Sequence, residues 1–178
     1  MEPTTQKSEI LFRGHLIQLR RDEVLFPNGV AHSFEVVVHP GAVTIVPIDD
    51  QGRLWFVRQY RHATGERLLE LPAGTLNPGE APEVCAAREC REEIGMAASR
   101  LTPLGGFFLA PGYSTEYTHL FLAQGLTPAP LKGDEDEEIE LEVVPFAEVK
   151  NWIARGDLRD AKTLAALLLA SVDLGPLF

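Results

Sequence analysis

Positive charge, cysteine and long apolar runs are all scarce in this chain of 178 residues. Lys and Arg total 16 against 26 Asp and Glu, a net charge of -10, so a broad phosphate-neutralising surface for nucleic acid or anionic lipid is not expected. An anionic ligand must be met locally, by a few placed cations or by metal. The two cysteines, Cys85 and Cys90, fall in one expected helix and point about 140° apart around its axis, so they cannot bridge to each other. A disulfide framework is therefore excluded, and a reducing cytoplasm fits. No apolar run approaches the ~18 residues of a membrane span, and the polar start MEPTTQKSEI lacks the apolar centre of a secretion signal. The expectation is a soluble, cytoplasmic protein. The five histidines, His15, His32, His39, His62 and His119, have no i, i+3 or i, i+4 partner, which argues against a zinc site.

What remains is an ordinary globular composition, 45% hydrophobic and 24% charged, at a length typical of one domain. No repeat is visible, and residues 1–178 read as a single domain with a strand-rich extension over about residues 1–40. Strand patterns cover Leu16 to Phe26 and Ala31 to Val38, parted by Pro27-Asn28-Gly29. Val43 to Ile48 is almost wholly apolar and β-branched, as expected of a strand covered on both faces, and Asp49 to Gly52 turns it into Leu54 to Tyr60. Leu68 to Leu71 follows, then a break at Leu76-Asn77-Pro78-Gly79 and a helix over Ala81 to Ile94 ended by Gly95. Phe107 to Ala110, Tyr117 to Ala123 and Ile139 to Val144 read as strands, with closing helices over Phe146 to Ala154 and Ala161 to Val172. The pattern is α+β, with a mixed central sheet.

The helix over Ala81 to Ile94 carries the chemistry. At about 100° per residue, with Glu89 at zero, Glu92 falls near -60°, Glu93 near +40° and Arg88 near -100°. Three carboxylates thus share a face, and Val84, Ala87, Cys90 and Ile94 form an opposite apolar stripe expected to dock on the sheet. Like charges so spaced repel unless cations sit among them. Oxygen ligands suit Mg²⁺ or Mn²⁺ far better than Zn²⁺. A solvated acidic helix face is the alternative from these residues alone.

The segment GTLNPGEAPEVCAARECREEIGM, Gly74 to Met96, resembles the box of the Nudix hydrolases, G-x5-E-x7-R-E-U-x-E-E-x-G-U with U a bulky aliphatic. Gly74, Glu80, Arg88, Glu89, Glu92, Glu93 and Gly95 occupy the required places, and Cys90 stands where Leu, Ile or Val is usual. The resemblance implies an α/β/α sandwich and metal-dependent hydrolysis of nucleoside diphosphates linked to another group. It implies Glu89 and Glu93 as main metal ligands, Glu92 joining them for further ions, Arg88 holding the glutamates by ion pairing, and the Ala73 carbonyl as an added ligand. Clustered metals would neutralise the diphosphate and activate water.

Ala110-Pro111-Gly112-Tyr113-Ser114 places a proline 16 positions after Gly95, a spacing that resembles the ADP-ribose pyrophosphatases of that family. His39 to Val43, Val57 to Arg61, Leu71 to Gly74 and Asp160 to Thr163 look similar to the same subfamily. The resemblance implies cleavage of ADP-ribose to AMP and ribose 5-phosphate. It implies that Arg61 contacts the diphosphate, where a guanidinium can bind two oxygens, that Pro111 and Gly112 line the substrate site, and that Phe34 stacks on adenine, with Phe12 its competitor. Read alone, Arg61 is equally a strand end, Pro111-Gly112 a plain turn and Phe34 a core residue.

The acidic run Asp134 to Glu138 is by composition a solvated loop. Similar enzymes carry a catalytic glutamate there, and alignment on Ile139 selects Glu137 over Glu135 and Glu138. Homodimers that share N-terminal strands are also implied by the resemblance. The alternatives are another substrate, GDP-mannose or FAD, an oxidised-nucleotide sanitising role, or a non-catalytic ADP-ribose sensor within a transcription regulator. The sensor reading wants a DNA-binding module and a degraded box, and the box acids here are intact. No nucleic-acid or membrane partner is expected.

Overall fold

The computed structural model describes residues 1–133 and 138–175. The chain divides into two compact units, Met1–Gly41 with Phe107–Tyr117, and Ala42–Gly106 with Thr118–Phe178.

The first unit is built on an antiparallel meander of β1 (Thr4–Arg13), β2 (Gln18–Leu25) and β3 (Ala31–Val38). β2 and β3 are the two strands expected from the alternation around Pro27-Asn28-Gly29, and Gly29 takes φ 83° in the connecting turn. β1 was not among the expected strands: its sequence, TTQKSEILFR, is mostly polar, and its ladder to β2, Phe12 against Leu19 and Arg13 against Gln18, forms it. Asp22 is the buried polar centre of this sheet, accepting hydrogen bonds from Ser8 Oγ at 2.6 Å and Arg20 Nε at 3.0 Å. The Ser8 bond, then Arg20, hold its carboxyl below the usual range against the opposing effect of burial. After Phe108, a turn at Ala110–Ser114 is pinned to the end of β3 by Val37 N donating to Tyr113 O at 2.7 Å and Thr115 N to Val37 O at 2.9 Å.

The second unit contains two sheets. One has the order β10-β5-β6, all antiparallel: β5 (Arg53–Arg61), β6 (Glu66–Glu70) and β10 (Ile139–Pro145). The other has the order β7-β4-β9-β8, from β4 (Ala42–Pro47), β7 (Ala73–Thr75), β8 (Met96–Phe108) and β9 (Tyr117–Pro128). β4 runs antiparallel to β7 and parallel to β9, so this sheet is mixed, as expected. β8 is longer than the four-residue strand expected at Phe107–Ala110. Pro103, Gly105 and Gly106 mask it locally, and pairing with β9 carries it.

Both faces of the strands are apolar, and burial alternates between two cores. Val46, Leu54, Phe56, Leu120 and Leu122 pack with Val149 of α2 (Phe146–Arg155) and Ala166, Leu167 and Ala170 of α3 (Ala161–Leu174). Their neighbours Val43, Ile45, Val57, Phe121 and Ala123 pack with Cys85, Ala86, Cys90 and Ile94 on α1 (Pro82–Glu93) and its end. Helices therefore cover both faces of this unit, an α/β/α arrangement. α3 begins at Asp160, whose carboxylate accepts from Thr163 N at 3.0 Å. Among the described residues, no helix is long and apolar enough to cross a membrane.

Candidate active site around the acidic helix

The helix sits rotated from its expected orientation. Cys85, Ala86, Glu89, Cys90 and Glu93 are its buried residues, an arc of about 140° with Glu93 near its centre. Val84 is 59% exposed and Ala87 is exposed too, so the stripe of Val84, Ala87, Cys90 and Ile94 is only half right. The inward turn of two glutamates costs desolvation unless hydrogen bonds replace water. The structure supplies them: Glu93 Oε2 accepts from Ala73 N at 2.9 Å, and Glu89 Oε1 from Arg88 Nη1 at 2.6 Å. Both cysteines are free and buried; burial first, then the neighbouring glutamates, push each thiol up to about 12, leaving them uncharged packing groups.

Arg88 is the hub. It forks onto Glu80, Nε to Oε1 at 2.9 Å and Nη2 to Oε2 at 3.1 Å, while Nη1 also reaches Glu92 Oε2 at 2.7 Å. Glu80 accepts from Asn77 N as well, at 2.9 Å, which fixes the turn before the helix. The Arg88 hydrogen bonds above all hold the Glu80 carboxyl down at about 2, against some desolvation. Reciprocally, Glu80 raises the Arg88 pKa further above its already high value. Gly74 explains its own presence, because a Cβ there would lie 1.8 Å from Glu89 Oε1 and 2.0 Å from its Cδ. Any side chain at this position would have to displace Glu89 from its place against β7. Gly95, at φ 69°, ends the helix in the left-handed region where glycine is favoured.

Three carboxylates, Glu80, Glu89 and Glu92, share the one guanidinium of Arg88, and Glu93 adds a fourth negative charge one turn beyond Glu89. Among the described residues no three His, Cys, Asp or Glu side chains converge tightly enough to enclose an ion. The donor set nevertheless fits Mg²⁺ or Mn²⁺. It is all oxygen, carries more negative charge than Arg88 offsets, and includes the Ala73 carbonyl on the strand that faces the helix. A cavity of about 340 Å³ lies against Glu92, Glu93 and Gly95, with Ile139 and Leu141 on its walls.

Arg61, on β5, is bound in a fork to the deeply buried Glu70, Nε to Oε1 at 2.8 Å and Nη2 to Oε2 at 2.7 Å. The Glu70 hydrogen bonds raise its pKa first, and the charges of Glu93 and Asp160 add to this. Burial alone would raise the Glu70 carboxyl, but Arg61 and Lys162 together bring it below its ordinary value. Glu70, Lys162 and the Asp160–Thr163 cap escaped the sequence reading as site residues. The signals were a charge inside the apolar run LLELP and an Asp three places before a Thr at the head of an apolar helix. Phe34 (42% exposed), Phe12 (59% exposed), Pro111 and Gly112 all lie at the surface of the first unit. Phe34 is 6.2 Å from the ring of Phe26. Glu137 and Glu135 lie outside the described residues. Before them Leu131 N donates to Arg91 O of α1 at 2.9 Å, and after them Glu138 pairs with Arg67.

The model of the NUDIX domain matches residues 38–167. This chain belongs to the Nudix family. It is 37% identical to the ADP-ribose pyrophosphatase of Bacillus subtilis (strain 168), over 94% of this chain and 91% of the relative. It is 42% identical to the ADP-ribose pyrophosphatase of Mycobacterium tuberculosis, over 92% of this chain and 81% of the relative. A crystal structure of an ADP compounds hydrolase superposes with a TM-score of 0.88 at 32% identity, covering 98% of this chain and 95% of the other. The Nudix box is thus the α1 assembly described above, from the close approach at Gly74 to the helix stop at Gly95.

Proposed function

We propose that this Nudix chain hydrolyses the diphosphate of ADP-ribose to AMP and ribose 5-phosphate with Mg²⁺, for which Mn²⁺ can substitute. The carrying observation is the intact acidic cluster around Arg88, set against β7; the likeness to ADP-ribose pyrophosphatases supports the substrate. Glu89 and Glu93, with the Ala73 carbonyl, would hold the metal, and Glu92 would join them for a further ion. When bound, the metal neutralises the diphosphate and makes water nucleophilic at neutral pH. Arg88 keeps the carboxylates apart and aimed, and Arg61 contacts the diphosphate. Glu137 takes a proton from, or aligns, the attacking water; Leu131 before it is bonded to α1 and Glu138 after it pairs with Arg67 of β6. Phe34, with Phe12 as competitor, stacks on adenine, and Pro111 and Gly112 line the substrate site.

Residues 1–178 act as one functional domain in this reading, and the active protein is a cytoplasmic homodimer. Every residue of β1 is exposed within this chain, and Ile10, Leu11, Phe12, Leu25 and Phe34 leave an apolar surface on the first unit of the kind that marks an interface. The deciding experiment is a hydrolysis screen over ADP-ribose, GDP-mannose, FAD and dinucleoside polyphosphates, with product identification, in Mg²⁺ and after chelation. ADP-ribose should have the highest kcat/KM, and chelation should abolish turnover. Much higher kcat/KM on GDP-mannose or FAD refutes the substrate, and turnover in chelator refutes the metal.

A further inference from the structure

Glu70 is a carboxylate almost without solvent access, its side chain 1% exposed, at the end of a strand that leads directly into Leu71-Pro72-Ala73. Burying a charge so completely is costly unless it is paired and fully hydrogen-bonded. Two cations meet it. Arg61 engages both carboxylate oxygens in a planar fork, and Lys162 Nζ donates to Oε2. Lys162 also donates to Asp160 Oδ2 at 2.9 Å, and the same oxygen accepts from Thr163 Oγ1 at 2.7 Å. Thr163 Oγ1 in turn accepts from Leu71 N at 2.9 Å. The strap from Glu70 to Ala73 is thus held residue by residue: Glu70 by its cations, Leu71 by Thr163, Pro72 O by Ile45 N at 2.9 Å, and Ala73 N by Glu93.

Among the described residues, the Arg61 side chain donates hydrogen bonds only to Glu70, and it remains 37% exposed. A free arginine samples many rotamers, and ordering it on binding costs affinity. A fork to a buried, immobile carboxylate removes that freedom beforehand. It orients the plane of the guanidinium while leaving its remaining N–H groups available, a geometry that matches bidentate contact with phosphate oxygens.

We propose that Glu70 is a positioning residue for the substrate, presetting the Arg61 guanidinium for the diphosphate from a carboxylate locked in place by Lys162. This rests on the reading of Arg61 as a diphosphate contact. The role is one of binding, so it should appear in KM more than in kcat. A purely structural role would instead lower kcat through loss of active protein and leave KM alone.

The test is a kinetic double-mutant cycle on the full chain with ADP-ribose and Mg²⁺: wild type, Glu70→Gln, Arg61→Met, and both together. Glu70→Gln should raise KM about tenfold and change kcat by less than about threefold. In the Arg61→Met background the same change should raise KM by less than about twofold, because Glu70 acts through the residue already removed. Glu70→Gln/Lys162→Met, in which the buried charges stay balanced, gives a second variant should the single one fold poorly; it too should raise KM. Penalties that multiply in the double variant, or an unchanged KM in both Glu70 variants while Arg61→Met raises it, overturn the role of Glu70 alone. An unchanged KM and kcat in Arg61→Met would overturn the diphosphate contact itself, and with it this inference.

Discussion

Removal of Arg88 tests whether one guanidinium holds the box together. In Arg88→Met the stem volume stays while Glu80, Glu89 and Glu92 lose their shared partner; their side chains are 10%, 10% and 22% exposed. Deleting one member of a buried ion pair costs about 3–5 kcal/mol. Arg88 itself is 26% exposed, so solvent screens part of that loss and about 2–3 kcal/mol is expected. For a chain of this size, this corresponds to a fall in Tm of about 5–10 °C. The pH dependence carries a sign. Glu80 has a folded pKa of about 2 against an ordinary 4.5, so its contribution is present above the ordinary value and is lost as pH falls toward the folded one. The gap between wild type and Arg88→Met should therefore be widest at neutral pH and shrink below about pH 4.5. Arg88→Lys, which keeps charge but loses the fork, should fall between. The assay is thermal unfolding in chelator from pH 7 to 3. A Tm gap below about 1 °C, or one that does not change over that range, would refute the reasoning.

Gly74→Ala should displace the Glu89 side chain; activity should fall by at least about tenfold with Tm lowered by a few degrees, as for an overpacked core site, and wild-type kinetics would show that Glu89 can move aside freely. Glu93→Gln should abolish metal binding by calorimetry and most of kcat while leaving Tm unchanged or slightly raised, since like-charge repulsion is relieved and the amide oxygen can still accept from Ala73 N; a variant that unfolds would make Glu93 structural. Glu137→Gln should lower kcat by about 10² to 10⁴ with little change in KM, and Glu135→Gln and Glu138→Gln should each cost less; near-normal kcat in all three would move the base to the box, with Glu92 tested first. Light scattering at micromolar concentration should return the mass of a dimer, and a monomer mass would refute the assembly proposed for β1–β3.

Local pattern alone determined a good deal of this protein. The α1 limits follow from the break at Leu76-Asn77-Pro78-Gly79 before it and Gly95 past its end, and the strands β3, β4, β5 and β10 from apolar runs between turn residues, because both signals act within a few residues of chain. The spacing of Gly74, Glu80, Arg88, Glu89, Glu92 and Glu93 carried the resemblance to the family, while helical periodicity by itself placed only Glu89, Glu92 and Glu93 on one face, because Gly74 and Glu80 lie outside α1. Three things needed the tertiary structure. β1 and most of β8 are strands because a partner strand supplies their hydrogen bonds, which no property of TTQKSEILFR or MAASRLTPLGGFF announces. The face that α1 buries was decided by hydrogen bonding as much as by hydropathy: Glu89 and Glu93 turn inward because Arg88 and the Ala73 N–H wait there, while the more apolar Val84 is left at the surface. And Glu70 became visible as a site residue only once β5, β6 and the start of α3 had brought Arg61 and Lys162, distant in sequence, onto one buried carboxylate.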